Sequence, residues 1–263
     1  MHTLKMENDV LVDCIRMAGD AAYRIQQNGF TMMQKENNDL LTEADITANA
    51  IIKSSLLTAF PEDGWLSEET VDDLKRLQLS RVWIIDPIDG TIEFTKQLPE
   101  FAVSVALVID QQPVLAAIYN PCTQRLFHAI KHQGAYLNGK RIYCKSSINQ
   151  LTLLASRTEV ENGKWKINLP DIDVKPIGSI AYKLALIAAG EADATLSLGP
   201  KSEWDIAAGC LLIQEAGGFV SDKYKRPFKF NQVNTRVDSI VATSRIALTV
   251  VFEHINTAMR VAC

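Results

Sequence analysis

The apolar positions change their period along the chain. Over residues 4–27, Leu11, Cys14, Ile15, Ala18, Ala22 and Ile25 recur at three-to-four spacing, which predicts an amphipathic helix. A polar, Asn-rich break follows at 35–39. Thr42-x-x-Asp45 then has the form of a capping box, opening a second helix that runs to Phe60 and stops at Pro61. Beyond it the runs shorten: 82–85, 102–109, 114–119 and 125–130 are strand-like, joined by Gln111-Gln112-Pro113 and Asn120-Pro121. Asn138-Gly139 marks a hairpin. The pattern is that of an antiparallel meander packed against the two helices. From about residue 146 helix and strand alternate, with a helix over 178–190, a strand over 194–198 and a helix over 204–216 capped by Gly217-Gly218. No repeat or Gly/Ser tract divides the chain. Two lobes sharing one core are expected, 1–145 and 146–263.

Composition narrows the class. A chain of 263 residues, 47% hydrophobic and 22% charged, can bury a sizeable core and is neither low-complexity nor disordered in character. A membrane span needs about 18 consecutive apolar residues; the purest run, 101–109, already contains Ser104. The first ten residues lack a basic stretch followed by an apolar block, so no secretory leader is expected and the cytoplasm is the default. A net charge of −4 leaves no nucleic-acid or membrane-surface footprint. Cys14, Cys122, Cys144, Cys210 and Cys263 are odd in number, widely spaced and form no CxxC, which fits small buried hydrophobes better than disulfides or a thiolate zinc site.

The candidate chemistry is acidic. Ile84-Ile85-Asp86-Pro87-Ile88-Asp89-Gly90-Thr91 is an apolar strand running into two carboxylates three residues apart. Pro87 removes a backbone donor and stiffens the turn, so both carboxylates can converge with the Ile88 carbonyl. Gly90 and Thr91 then offer backbone N–H groups at a helix start, where an anion binds well. Such an oxygen-rich cluster suits Mg2+. The bland reading is a strand-end Asp and a helix-capping Asp. Two further acidic elements stand apart, Leu66-Ser67-Glu68-Glu69-Thr70 and Ser202-Glu203-Trp204-Asp205-Ile206-Ala207-Ala208. Taken singly, they read as a solvated loop and a helix cap.

Rival chemistries fail on particular residues. The haloacid-dehalogenase phosphatases carry Asp-x-Asp-Gly-Thr with the first Asp as nucleophile, and here that position is Pro87. His128 and His132 are four apart, but no Glu follows the first, so no zincin helix is present. No Gly-x-Ser-x-Gly elbow exists for a Ser/His/Asp hydrolase.

In order and over nearly the whole chain, the three acidic elements resemble the inositol monophosphatase superfamily of Mg2+-dependent, lithium-sensitive phosphatases. The resemblance implies a mixed α/β fold, a layered α-β-α-β-α sandwich. It makes Glu68, Asp86, Asp89, Asp205 and the Ile88 carbonyl ligands of two or three Mg2+ ions, with Glu69 in support and Asp205 also facing the substrate. Thr91 would orient the attacking water, the N–H groups of Gly90 and Thr91 would hold phosphate, and Asp45 would support Thr91 through a hydrogen bond. The resemblance also implies a small phosphorylated metabolite as partner, and it allows a homodimer.

Branch-level features favour one substrate. Inositol-specific members carry an acid seven residues before the Trp-Asp aspartate, where this chain has Leu198. Leu198-Gly199-Pro200-Lys201-Ser202-Glu203-Trp204-Asp205, Gly178-Ser179 with Lys183, and Ser156-Arg157 instead resemble the bacterial 3′-phosphoadenosine 5′-phosphate phosphatases. In that branch the Lys and the Ser-Arg pair lie near the second phosphate. Ile92 departs from it, standing where that branch usually has Lys. The expected reaction is removal of the 3′-phosphate of adenosine 3′,5′-bisphosphate. The alternatives are an inositol or broad sugar-phosphate monophosphatase, and a silent member that binds phosphorylated ligands.

Overall fold

The computed structural model describes residues 4–35, 39–163 and 172–261. Helix α1 (Lys5–Asn28) buries Leu11, Cys14, Ile15, Ala18 and Ala22, the stripe its period predicts. Strands β1 (Met32–Gln34) and β2 (Leu40–Thr42) pair antiparallel on either side of the polar break, whose residues 36–38 lie outside the described residues. Helix α2 (Glu43–Ala59) opens on the reciprocal cap: the Thr42 hydroxyl accepts from the Ala44 N–H, and the Asp45 carboxylate accepts from the Thr42 N–H.

The central sheet has seven strands in chain order. They are β3 (Gly64–Ser67), β4 (Arg81–Asp89), which leads into the short helix α3 (Thr91–Thr95), then β5 (Ala102–Ile109), β6 (Gln112–Asn120), β7 (Arg125–Ile130), β8 (Gly134–Leu137) and β9 (Lys140–Ile142). The meander from β4 to β9 is antiparallel as its turns predict, and Leu137 pairs with Lys140 across Asn138-Gly139. The first strand differs: β3 runs parallel to β4 along the edge. Side chains alternate across the sheet. Trp83 and Ile85 join α1 and α2 in one core, whereas Val82 and Ile84 face the opposite side. Covered on both faces, β4 reads as a continuous apolar run rather than an alternating one.

The second half supplies β10 (Leu151–Ser156), α4 (Arg157–Glu161), β11 (Ile172–Ile177), α5 (Ile180–Ala188), β12 (Ala194–Ser197), β13 (Lys201–Ser202), α6 (Glu203–Glu215), β14 (Phe219–Ser221), β15 (Arg236–Val237), β16 (Ile240–Thr243) and α7 (Leu248–Val261). A five-stranded sheet has the order β11-β10-β12-β16-β14, and β13 pairs with β15 in a separate ribbon. Helices α5 and α6 lie between the two sheets. Leu184, Ile187, Ile206 and Leu211 share a core with Ile84, Ile118 and Phe127 of the first sheet and with Leu154 and Ile240 of the second. Each such Leu or Ile contributes roughly 1.5–3 kcal/mol on burial. Helix α7 covers the outer face of the second sheet through Val251, Phe252 and Ile255. The layers therefore run α-β-α-β-α.

Among the described residues Cys14 and Cys210 are free and buried, Cys122 and Cys144 free and half-buried; Cys263 lies outside them. No described helix is long and apolar enough to cross a membrane.

Candidate active site

The parallel pairing of β3 with β4 brings the acidic elements together. The Glu68 N–H donates to the Ile85 carbonyl at 3.2 Å, which sets Glu68 beside the end of β4. There the ladder slips. Asp86 faces Ser104 and Asp89 faces Ala102, so β4 carries one residue more than β5 across that interval. This β-bulge falls at Pro87-Ile88, where the proline has no N–H to lose from the ladder, and it aims the two aspartates at one side. Asp86 accepts from the Ile88 N–H at 3.0 Å, and the Thr91 hydroxyl donates to the Ile88 carbonyl at 3.2 Å.

Two helix starts complete the cluster. Asp89 Oδ2 accepts from the Ser179 hydroxyl and from the Ala181 N–H, both at 2.5 Å, at the beginning of α5. Asp205, in the first turn of α6, accepts from the Ser202 N–H at 2.8 Å within a capping box. Asp86, Asp89 and Asp205 each offer an oxygen, and these atoms all lie within 4.8 Å of one another.

Burial raises the pKa of all three acids. Mutual repulsion adds to it for Asp86, which also feels Glu68, Asp89 and Asp205. Asp205 is pushed up to about 7 by burial and then by Asp89. For Asp89, burial is opposed by the donors Ser179 and Ala181. Three converging carboxylates whose charged forms burial disfavours offer the oxygen donors that suit a hard divalent cation.

The cluster opens into a cleft of about 780 Å3. Glu68, Ile88, Gly90, Thr91, Ser156 and Lys183 also line it, so the structure brings most of the residues singled out in the sequence to one place. Asp45 and Arg157 are outside that lining. Asp45 is buried and accepts from both the Thr42 N–H and hydroxyl, so it caps α2, while Thr91 bonds Ile88 instead of Asp45. Arg157 turns to Glu100, and one of its donors also meets the Pro176 carbonyl at 3.1 Å. Glu68 and Glu69 share the ammonium of Lys35 at 3.0 and 2.6 Å.

Lys183 is 5% exposed and donates to the Ile177 carbonyl at 3.2 Å. Burial lowers its pKa to about 8 against the upward pull of Asp89. Sequence reasoning passed over Lys35, Lys201 and Arg236, all of which line the cleft. Lys201 stands inside a quoted motif, whereas Lys35 and Arg236 carry no local signal. Ser179 was readable as a helix cap ahead of an Ala/Leu-rich run, but its bond to Asp89 spans 90 residues.

The model of the inositol monophosphatase family matches residues 8–259. Nus factor SuhB of Escherichia coli (strain K12) is 37% identical over 200 residues, covering 72% of this chain and 74% of its own length. Inositol monophosphatase 2 of Solanum lycopersicum is 34% identical over 233 residues, covering 81% and 86%. Among solved structures, CysQ from Bacteroides thetaiotaomicron, described as a bacterial member of the inositol monophosphatase family, superposes with a TM-score of 0.78 at 27% identity, covering 92% of this chain and 98% of that one. The match thus spans both sheets and every acidic element of the cleft, and the chain belongs to the inositol monophosphatase family.

Proposed function

We propose that the protein is a Mg2+-dependent phosphomonoesterase whose substrate is adenosine 3′,5′-bisphosphate, from which it releases the 3′-phosphate to leave AMP. One observation carries the substrate reading. The cleft that gathers Asp86, Asp89 and Asp205 is also lined by Lys183 and Lys201, and neither ammonium pairs with a carboxylate within salt-bridge distance among the described residues. Cations left over beside an acidic cluster suit a ligand with a second anionic group.

Asp86, Asp89, Asp205, Glu68 and the Ile88 carbonyl would hold the Mg2+ ions. Bound there, Mg2+ supplies the positive charge that a phosphate dianion and its leaving alkoxide need, together with an activated water. The chain's own groups do the positioning. Ser179 and Ala181 hold the Asp89 carboxylate in place. The Thr91 hydroxyl, tethered to Ile88, is set to orient the attacking water, and the N–H groups of Gly90 and Thr91 to receive phosphate oxygens. Attack by water breaks the bond between phosphorus and the ribose oxygen, so no phosphorylated enzyme forms. Lys183 and Lys201 would hold the 5′-phosphate.

The second reading is an inositol or broad sugar-phosphate monophosphatase, in keeping with the names of the similar proteins. Leu198 speaks against the inositol form: it occupies the position where inositol-specific relatives carry an acid, it offers no hydrogen bond, and it stands 40% exposed outside the residues that line the cleft. The test is phosphate release with Mg2+ from adenosine 3′,5′-bisphosphate and inositol 1-phosphate under identical conditions. Strong preference for the nucleotide is expected. Preference for inositol phosphate would overturn the substrate reading, and activity on neither would overturn it in favour of a different phosphate ester or a silent binder.

A further inference from the structure

We propose that Arg157 and Glu100 form a brace that positions Ser179, and through it Asp89, so that Arg157 is a positioning residue rather than a substrate contact. The proposal rests on the reading of Asp86, Asp89 and Asp205 as the metal-holding cluster. It begins with a chain of bonds linking four elements. Arg157, the first residue of α4, donates from Nε to Glu100 Oε2 at 3.0 Å and from Nη2 to Glu100 Oε1. The same Glu100 Oε2 accepts from the Gly178 N–H at 2.8 Å. The next residue is Ser179, whose hydroxyl donates to Asp89 and accepts from the Tyr182 N–H at 3.0 Å.

Three features mark how tightly the surroundings of this junction are built. Ser179 has φ +36°, a left-handed conformation that an L side chain adopts only under constraint from its surroundings. Gly178 packs closely against Glu93: a Cβ built there would lie 2.1 Å from the Glu93 Cδ. Glu100 also abuts the phosphate turn, since its carbonyl oxygen lies 3.2 Å from where a Gly90 Cβ would be. One carboxylate thereby ties α4 to the start of α5, and the start of α5 fixes the orientation of Asp89. Arg157 spends its donors on Glu100 and Pro176, and its pair is largely shielded from solvent, with side-chain exposures of 22% and 13%. A shielded two-pronged pair is a firmer strut than a surface ion pair.

The experiment measures Mn2+ binding by electron paramagnetic resonance to the chelator-treated full chain, alongside steady-state kinetics. Arg157→Ala is expected to weaken Mn2+ binding three- to tenfold and to lower kcat on mono- and bisphosphate esters alike, leaving the ratio of their KM values unchanged. Ser179→Ala should do the same without touching the ion pair. The double variant should be no worse than Ser179→Ala alone, because both changes act on one path. Arg157→Lys should recover part of the loss, and with Ser179→Ala it carries the test if Arg157→Ala does not fold. Unchanged Mn2+ affinity in these variants, or a KM rise confined to the bisphosphate in Arg157→Ala, would overturn the brace. Failure of the unaltered protein to bind Mn2+ would overturn the metal reading beneath it.

Discussion

The ammonium of Lys35 lies 3.0 Å from Oε1 of Glu68, so an acid of the candidate metal set already faces a cation belonging to the chain itself. Burial pulls the Lys35 pKa down, but Glu69 and Glu68 more than offset it and hold it up at about 12. Lys35→Met should therefore have two opposite effects. In chelator the protein should lose roughly 1–3 kcal/mol, the cost of leaving a shielded charge without its partner. On adding Mg2+ the gain in Tm should be larger than in the unaltered protein, because no internal cation competes for Glu68. Equal gains by calorimetry would show that Lys35 and the ion do not share that site.

Converging acids make the ion-free protein sensitive to the loss of one charge. Asn at position 89 keeps an oxygen to accept from Ser179 and Ala181 but removes repulsion against Asp205, for which Asp89 is the largest charged neighbour raising its pKa. Asp89→Asn is expected to raise Tm in chelator, to abolish the Mg2+-dependent rise in Tm and to lower kcat more than about 100-fold, beyond the cost of losing an outer partner. Near-normal turnover would remove Asp89 from the metal set.

The Lys183 pKa of about 8, set mainly by burial, gives the substrate reading a pH signature. As pH rises through that value the ammonium of the free enzyme loses its proton and its hold on a second anion. kcat/KM for adenosine 3′,5′-bisphosphate should fall above about pH 8, because that ratio reports groups of the free enzyme. For a simple monophosphate ester it should stay level over the same range. Lys183→Arg keeps its charge and should flatten the bisphosphate profile. Parallel profiles for both esters would separate Lys183 from the second anion.

Gly178 offers a steric test. Any side chain there collides with Glu93, whose Cγ and Cδ would lie 2.2 and 2.1 Å from the new Cβ. Gly178→Ala should thus lower Tm and weaken Mn2+ binding together. Gly199→Ala, where a Cβ meets nothing within 4 Å, is the matched control and should change neither. Intact Mn2+ binding in Gly178→Ala would mean that Glu93 yields without disturbing Asp89.

What could be read in advance was local. The stripe of α1, the cap of α2 and the meander strands each declare themselves within a few residues, and so do the motifs holding Asp86, Asp89 and Asp205. Other features were hidden for a physical reason. Strand β3 is four residues long and takes its place only by pairing with β4. The continuation of β4 through Pro87 contradicts the usual exclusion of proline from central strands, until the bulge absorbs it. Arg157 resembled a substrate contact because nothing near it in the chain announces Glu100, 57 residues away. Lys35 meets Glu68 and Glu69 across 33 and 34 residues. Pairings of that span depend on how layers stack, and hydrophobic period carries no trace of it.

The helix layer between the two sheets has a consequence for the newly made chain. Asp89 comes from the seven-stranded sheet, Asp205 and Lys183 from the middle helices, and Ser156 and Ser197 from the five-stranded sheet. Of the proposed ligands only Asp205 comes from outside the end of β3 and β4, so a folding intermediate in which α6 has not docked on the first sheet owns only part of the set. An ion held at the proposed site would find its full affinity only once α6 is in place, and in a mixed population it would draw chains lacking that docking toward the assembled state, acting as a proofreader of folding before any substrate arrives.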